Sequence, residues 1–256
     1  MRPRHWLPLA VAAIVVALLL QPLSGAPSVP TSVPYASGAI GWDASFPQCG
    51  RGSAPPGGFG IVGLNQGRPF TTNPCLTKLW NWAAALPGAS LYVNAAYSGS
   101  FARHLGPECE GTAPASIRGP TERRAWEIGC QEAAYNLSIS PELPNAWWLD
   151  VEPANSWSRH RPALNRLAIM GLAHGLRRSG RPVGLYSYSP AWERITGEVG
   201  WSPPDASTNW LAPTSVTGAA AAAEECGRSG FSGLPVALVQ WLGADAEGHH
   251  DADRAC

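Results

Sequence analysis

From about residue 39 onward the chain alternates short apolar runs with longer stretches of helical period. Candidate strands lie at Ala39–Asp43, Phe59–Asn65, Ser90–Ala96, Ala146–Glu152, Val183–Tyr188, Asn209–Ala212 and Val236–Leu242. Several are apolar without interruption, as parallel strands covered on both faces are. The stretches between them carry helix signals. Asn73 can cap a helix with Pro74 at its first position and Leu76, Leu79, Trp80 and Ala83 on one stripe. A second helix is expected from Thr121 to about Leu137. A third opens at Pro162, turns Leu164, Leu167, Ala168, Gly171 and Leu172 inward, and ends at Gly180. This alternation predicts an α/β fold of parallel β/α units, and seven or eight such units fit a closed TIM-type (β/α) barrel; a doubly wound open sheet is the competing architecture. No internal repeat is visible.

The residues before this region have a different character. Met1 to Ala26 reads as a secretory signal: Arg2 and Arg4 at the start, an apolar run from Trp6 to Leu20, and small residues Ser24 and Ala26 at the positions a signal peptidase reads. The apolar run is short for a membrane span, which needs about 20 residues. An anchor that is not cleaved is the alternative, and either way the domain is expected outside the cytoplasm, with no membrane contact after cleavage. Pro27 to Gly38 is rich in Pro, Ser and Val without periodicity and reads as a linker. Residues 39–256 then form a single domain.

Six cysteines suit an exported protein. They fall into three local couples, Cys49 with Cys75, Cys109 with Cys130 and Cys226 with Cys256, each closing a short loop. No Cys-x-x-Cys or Cys/His cluster occurs, so structural bridges are expected and no metal or cofactor. The formal net charge is +0 with no basic block. That disfavours a nucleic-acid partner, whose phosphates need clustered cations. A monomer is expected. The 12 tryptophans are first of all core material, but flat apolar rings also stack on sugars.

Gly58-Phe-Gly-Ile-Val-Gly63 matches the dinucleotide fingerprint by letter and fails it by context. A Pro-Pro-Gly loop precedes it, a strand follows, and no acid occurs from Ala54 to Pro107. The informative segment is Ala146-Trp-Trp-Leu-Asp-Val-Glu-Pro153. Side chains two apart on a strand share a face, so Trp148, Asp150 and Glu152 point together. Pro153 ends the strand and puts the acids at its C-terminal edge, where parallel α/β folds bind ligands. Two like charges this close, beside a tryptophan, raise the pKa of one of them. A protonated carboxyl beside an ionised one is the pairing that glycosidic cleavage uses; acids held in ion pairs with arginines are the competing reading. Asp43 ends the first candidate strand and reaches the same mouth if the sheet closes. Asp251 and Asp253 lie where a last barrel strand would run. His249-His250-Asp251 reads as a solvated tail more readily than as a metal site.

The ordered set of motifs resembles glycoside hydrolase family 25, the lysozymes that cut bacterial cell-wall glycan, and more narrowly a secreted actinobacterial branch of glycoside-hydrolase-like proteins. It runs through Gly41-Trp-Asp-Ala-Ser-Phe-Pro-Gln-Cys49, Phe59-Gly-Ile-Val-Gly63, Thr72-Asn-Pro-Cys-Leu76, Leu91-Tyr-Val-Asn-Ala95 and Trp147-Trp-Leu-Asp-Val-Glu152. Gly184-Leu-Tyr-Ser187, Asn209-Trp-Leu-Ala212, Val239-Gln-Trp241 and Asp251-Ala-Asp-Arg-Ala-Cys256 follow in order. The resemblance implies an irregular β/α barrel acting on a polysaccharide, with bacterial peptidoglycan as the expected substrate. It implies Glu152 as general acid and Asp150 as the residue that orients the substrate's acetamido group or helps place a water. The family's first-strand acid falls on Asp43 and its last-strand acid on Asp251, with Asp253 as the alternative. Trp148, beside the acids, and Asn65, Tyr97, Tyr186, Gln240 and Trp241, at strand ends, are candidates for binding the glycan in the groove. The chain departs from the family in His249-His250, where an apolar residue is usual, and in a longer, more polar stretch from Tyr97 to Arg118. A glycan-binding protein without catalysis, on the same barrel, is the alternative function.

Overall fold

The computed structural model describes residues 33–51, 55–242 and 250–256. The expected signal segment, the first part of the expected linker and His249 lie outside these residues. Eight strands close a barrel in sequence order: β1 (Ile40–Ala44), β2 (Gly60–Gly63), β3 (Ser90–Asn94), β4 (Trp147–Asp150), β5 (Val183–Ser187), β6 (Thr208–Leu211), β7 (Val236–Trp241) and β8 (Asp251–Ala255). Five helices pack around it: α1 (Leu76–Ala84), α2 (Pro120–Ile139), α3 (Pro162–Arg177), α4 (Ser189–Thr196) and α5 (Ala219–Glu225). Among the described residues no helix is long and apolar enough to cross a membrane.

Strands β1 to β7 pair in parallel, but β8 runs antiparallel to both of its neighbours, β7 and β1. The uniform parallel barrel read from the alternation of elements therefore fails at its last strand. The reason is chain length. A parallel crossover takes a dozen or more residues, and residues 242–250 are too few. The reversal matters for the site, because the start of β8 then lies at the same barrel end as the finish of β1.

Strand alternation divides the side chains into two cores. Outward-facing Val62, Leu91, Val93, Trp147, Leu149 and Leu185 are fully buried against the helices, each contributing about 1.5–3 kcal/mol by leaving water. The stripe read for α1 packs here, with Leu76, Leu79, Trp80 and Ala83 all buried. This helix starts at Leu76 rather than Pro74. Asn73 uses its carboxamide to hold the turn, accepting from Cys75 N at 3.0 Å and donating to Gly63 O at 2.7 Å. Between α2 and α3 two glycines let the backbones touch: a Cβ on Gly129 would stand 1.9 Å from Ala168 O, and one on Gly171 2.1 Å from Trp126 O.

The second core fills the barrel itself, with Phe59, Ile61, Trp148, Trp210 and Leu238. The Trp148 indole lies over Gly184, where any Cβ would come within 2.2 Å of the ring. Tyr35, in the stretch read as linker, packs beneath this layer. Its ring stacks on Phe59 at 4.2 Å and its hydroxyl meets Ser90 Oγ at 2.6 Å and Trp148 Nε1 at 3.0 Å. The three local cysteine couples are bridged. They tie the loop after β1 to the start of α1, the stretch before α2 to α2 itself, and the end of α5 to the residue following β8.

Candidate active site

The carboxylates gather at one end of the barrel. Asp43 lies near the end of β1, Asp150 ends β4, Glu152 follows two residues later, and Asp251 opens β8. Asp43 and Asp251 face each other directly across the β1–β8 ladder. All four line one cavity of about 120 Å³, whose walls are completed by Tyr92, Tyr186, Trp210 and Gln240. Asp253 sits one step deeper in the same column of β8, fully buried, opposite Gly41 and Gln240.

Polar side chains hold these acids in place. Tyr186 Oη donates to Gln240 Oε1 at 2.9 Å, and Gln240 Nε2 donates to Asp43 Oδ2 at 2.8 Å. Trp210 Nε1 donates to Asp253 Oδ1 at 2.7 Å. Asn94, opposite Asp150 in the β3–β4 ladder, donates from Nδ2 to Asp150 Oδ2. Asn94 is fixed in turn: its backbone N–H donates to Asn65 Oδ1 at 3.0 Å, and Asn65 Nδ2 donates to Asn136 Oδ1 on α2 at 2.9 Å. The loop after Glu152 is tied back as well, with Trp157 Nε1 donating to Glu152 O at 2.7 Å and Asn155 Nδ2 to Asp150 O at 3.1 Å.

Carboxylates this close in a poorly hydrated pocket cannot all ionise at neutral pH. Burial pushes Asp43 up to about 7; the negative charge of Asp251 adds to this, while the hydrogen bond from Gln240 opposes it. Burial also raises Asp150, with the Glu152 charge next in effect and bonds from Asn155 and Asn94 opposing. Asp253 is raised by burial and by the charge on Asp43. With Oδ1 held by Trp210 and Oδ2 without a hydrogen-bond partner among the described residues, burial keeps Asp253 in its neutral form. Glu152 is raised by burial. The neighbouring phenols of Tyr92 and Tyr186 are raised first by burial and then by these charges, so they remain donors. The site can therefore keep a transferable proton on one carboxyl beside an ionised one.

Four residues read as groove candidates lie elsewhere. Trp148 is on the expected face but one layer below Asp150, fully buried in the barrel core, so no sugar reaches its ring. Trp241 follows Gln240 on β7 and therefore points outward, against the packing around α5. Period two does not allow both residues to line the mouth. Asn65 is buried beyond the end of β2 and bonds to Thr71, Asn94 and Asn136. Tyr97 packs among Ala125, Ile128 and Leu164, outside the acid cavity but on the wall of the larger pocket next to it. Tyr92, Asn94 and Trp210 were missed. The parity that groups Trp148 with Asp150 places Tyr92 with Asn94 on β3, and would have found both. Among the described residues no group of three or more His, Cys, Asp or Glu is arranged to hold a metal.

A closed β/α barrel with an acid cluster at the mouth formed by the C-terminal ends of its parallel strands is thus the class that fold and site define. No protein family matches the sequence, and no curated protein is similar to it by sequence. Among solved structures, the chain is similar to a muramidase from Acremonium alcalophilum, with a TM-score of 0.51 at 11% identity over 85% of this chain and 93% of that one. It also aligns with the modular Cpl-1 endolysin complexed with a peptidoglycan analogue (TM-score 0.46, 15% identity, 87% of this chain), spanning only 55% of that protein's length. The catalytic domain of endolysin ply40 from bacteriophage P40 of Listeria monocytogenes aligns with a TM-score of 0.45 at 16% identity, over 85% of this chain and 92% of that domain. At these identities the likeness is one of fold.

Proposed function

We propose that the protein is a secreted glycoside hydrolase that cleaves the glycan of bacterial cell-wall peptidoglycan. The observation that carries this reading is the meeting of Asp43, Asp150, Glu152 and Asp251 around one cavity, with Glu152 held above the usual glutamate range. A carboxyl that keeps its proton near neutral pH can hand it to the leaving glycosidic oxygen, and an adjacent carboxylate can balance the positive charge that grows on the sugar. Glu152 is the proton donor in this scheme. It lies beyond the end of β4, half-buried, and is the acid with no hydrogen-bonded side chain claiming its proton among the described residues. Asp150, oriented by Asn94, holds the substrate's acetamido group or a water. Asp251 supplies charge opposite, beside Asp43, which Gln240 fixes in place. Tyr92, Tyr186 and Trp210 form the wall against which a sugar ring rests.

The fold shared with a muramidase supports this substrate class. The three bridges and the signal-like Met1–Ala26 support export as a wall-acting enzyme. The test is incubation with purified cell walls while reducing ends are counted. New reducing ends that accumulate with time and enzyme concentration are expected. Binding to walls with no new ends would instead favour a glycan-binding protein on the same barrel.

A further inference from the structure

Beside the acid cavity lies a larger pocket of about 980 Å³, formed by the loop after β3, the loop after β4, and α4. Its chemistry is the reverse of the acid site. Arg159 and Arg194 line it together with Ser98, Asn155, Ser156 and Ser158, and no acid is among its lining residues. The nearby arginines that do not line it are neutralised: Arg161 pairs with Glu122, and Arg166 with Glu198 at 2.9 Å. Arg159 and Arg194 have no carboxylate partner among the described residues. Two guanidinium groups left unpaired in a concave, hydroxyl-lined pocket match an oxyanion, which they can grip with paired N–H donors.

The pocket and the acids are built on the same loop. Pro153 and Ala154, directly after Glu152, form part of its wall, and Asn155 both lines it and donates to Asp150 O. Trp157, also a wall residue, donates to Glu152 O. We propose that this pocket is a subsite for an anionic substituent, a carboxylate or phosphate, carried by the glycan next to the bond being cut. The proposal rests on the glycan-cleaving reading of the acid site. Its physical logic is charge segregation. An anionic branch is repelled by the ionised carboxylates at the mouth and attracted by two unpaired arginines beside it, so the polymer is seated in one register.

The test compares wild type with the double variant Arg159→Gln, Arg194→Gln. Both residues are exposed, so folding should survive. The substrates are purified peptide-bearing glycan, the same glycan stripped of peptide by an amidase and then made neutral by reducing the lactyl carboxyls this exposes to alcohols, and walls with or without their phosphodiester-linked polymers. Loss of the two arginines should raise KM about tenfold on the anionic substrate, since an exposed ion pair is worth up to about fivefold. It should leave kcat, and KM on the neutral glycan, nearly unchanged. Wild-type KM on the anionic substrate should rise with salt, and that of the variant should not. Whichever stripping step abolishes the difference identifies the anion as carboxylate or phosphate. Equal effects of the two substitutions on anionic and neutral glycan overturn the proposal. If wild type binds glycan without cutting it, the same comparison of affinities by sedimentation decides the subsite, and only the hydrolase reading falls.

Discussion

Asp43 carries a consequence for stability that its position in the barrel dictates. Its carboxyl moves from 3.8 to about 7 in the fold, first through burial and then through the charge of Asp251. Three pH units at 1.36 kcal/mol each make the ionised form cost up to about 4 kcal/mol in the native state. The direction follows from proton binding. Between about pH 4 and 7 the native state holds a proton on this group that the unfolded chain has released, so stability falls as pH rises through that window, by up to about 1.4 kcal/mol per unit, and levels off above it. Asp43→Asn keeps an oxygen to accept from Gln240 Nε2 and is neutral at every pH. The amide NH2 that replaces the second carboxyl oxygen is a buried donor to be accommodated, at a cost of about 1 kcal/mol. The variant should therefore match or fall slightly below wild type at pH 4 and exceed it by roughly 2–3 kcal/mol at pH 8. Denaturant unfolding followed by tryptophan fluorescence at each pH, with the disulfides intact, measures both curves. Curves that run parallel across the whole range would refute the assignment of a proton to this cluster.

Gly184→Ala forces a methyl to within 2.2 Å of the Trp148 ring and should cost about 1–3 kcal/mol of stability, read as a lowered melting temperature; an unchanged melting temperature would show that the barrel core yields there. Trp241→Ala should weaken the fold by about 3–5 kcal/mol at most, through lost packing near α5, and leave glycan affinity alone. Tyr186→Phe should do the reverse, freeing Gln240 and thereby Asp43; fluorescence melts and wall-binding isotherms on the two variants separate these outcomes. Replacing Cys226 and Cys256 by serine opens a bridge of sequence separation 30 and should destabilise by about 3–4 kcal/mol, measured by denaturant titration.

Much of this architecture was legible from local pattern. The α1 stripe, the opening of α3 at Pro162 and the Asp150/Glu152 pair depend on spacings of two, three and four residues, which a chain displays directly. The cysteine couples were legible because short loops bridge neighbouring elements. What was hidden depends on three-dimensional closure. Trp148 and Asp150 share a face, but only the depth of the barrel decides that one is floor and the other site. Trp241 was misplaced by reading strand-end proximity without parity, since Gln240 and Trp241 cannot both point inward. The reversal of β8 followed from the short stretch 242–250 and was readable; its effect, bringing Asp251 opposite Asp43, needed the sheet to close. The Asn136–Asn65–Asn94–Asp150 chain joins residues from α2, the segment beyond β2, β3 and β4, and no local spacing announces it.

The central claim is that Glu152 donates the proton that breaks a glycosidic bond. Glu152→Gln removes that proton while keeping size and hydrogen-bonding capacity, so the direct measurement is the rate of reducing-end release from purified walls by wild type and variant across pH, with wall binding measured on the same samples. The account predicts a wild-type profile that falls at alkaline pH as Glu152 ionises. It predicts a rate about 10²–10⁴-fold lower in the variant, the range general acid catalysis supplies, and binding nearly unchanged. Full hydrolysis by Glu152→Gln would contradict it.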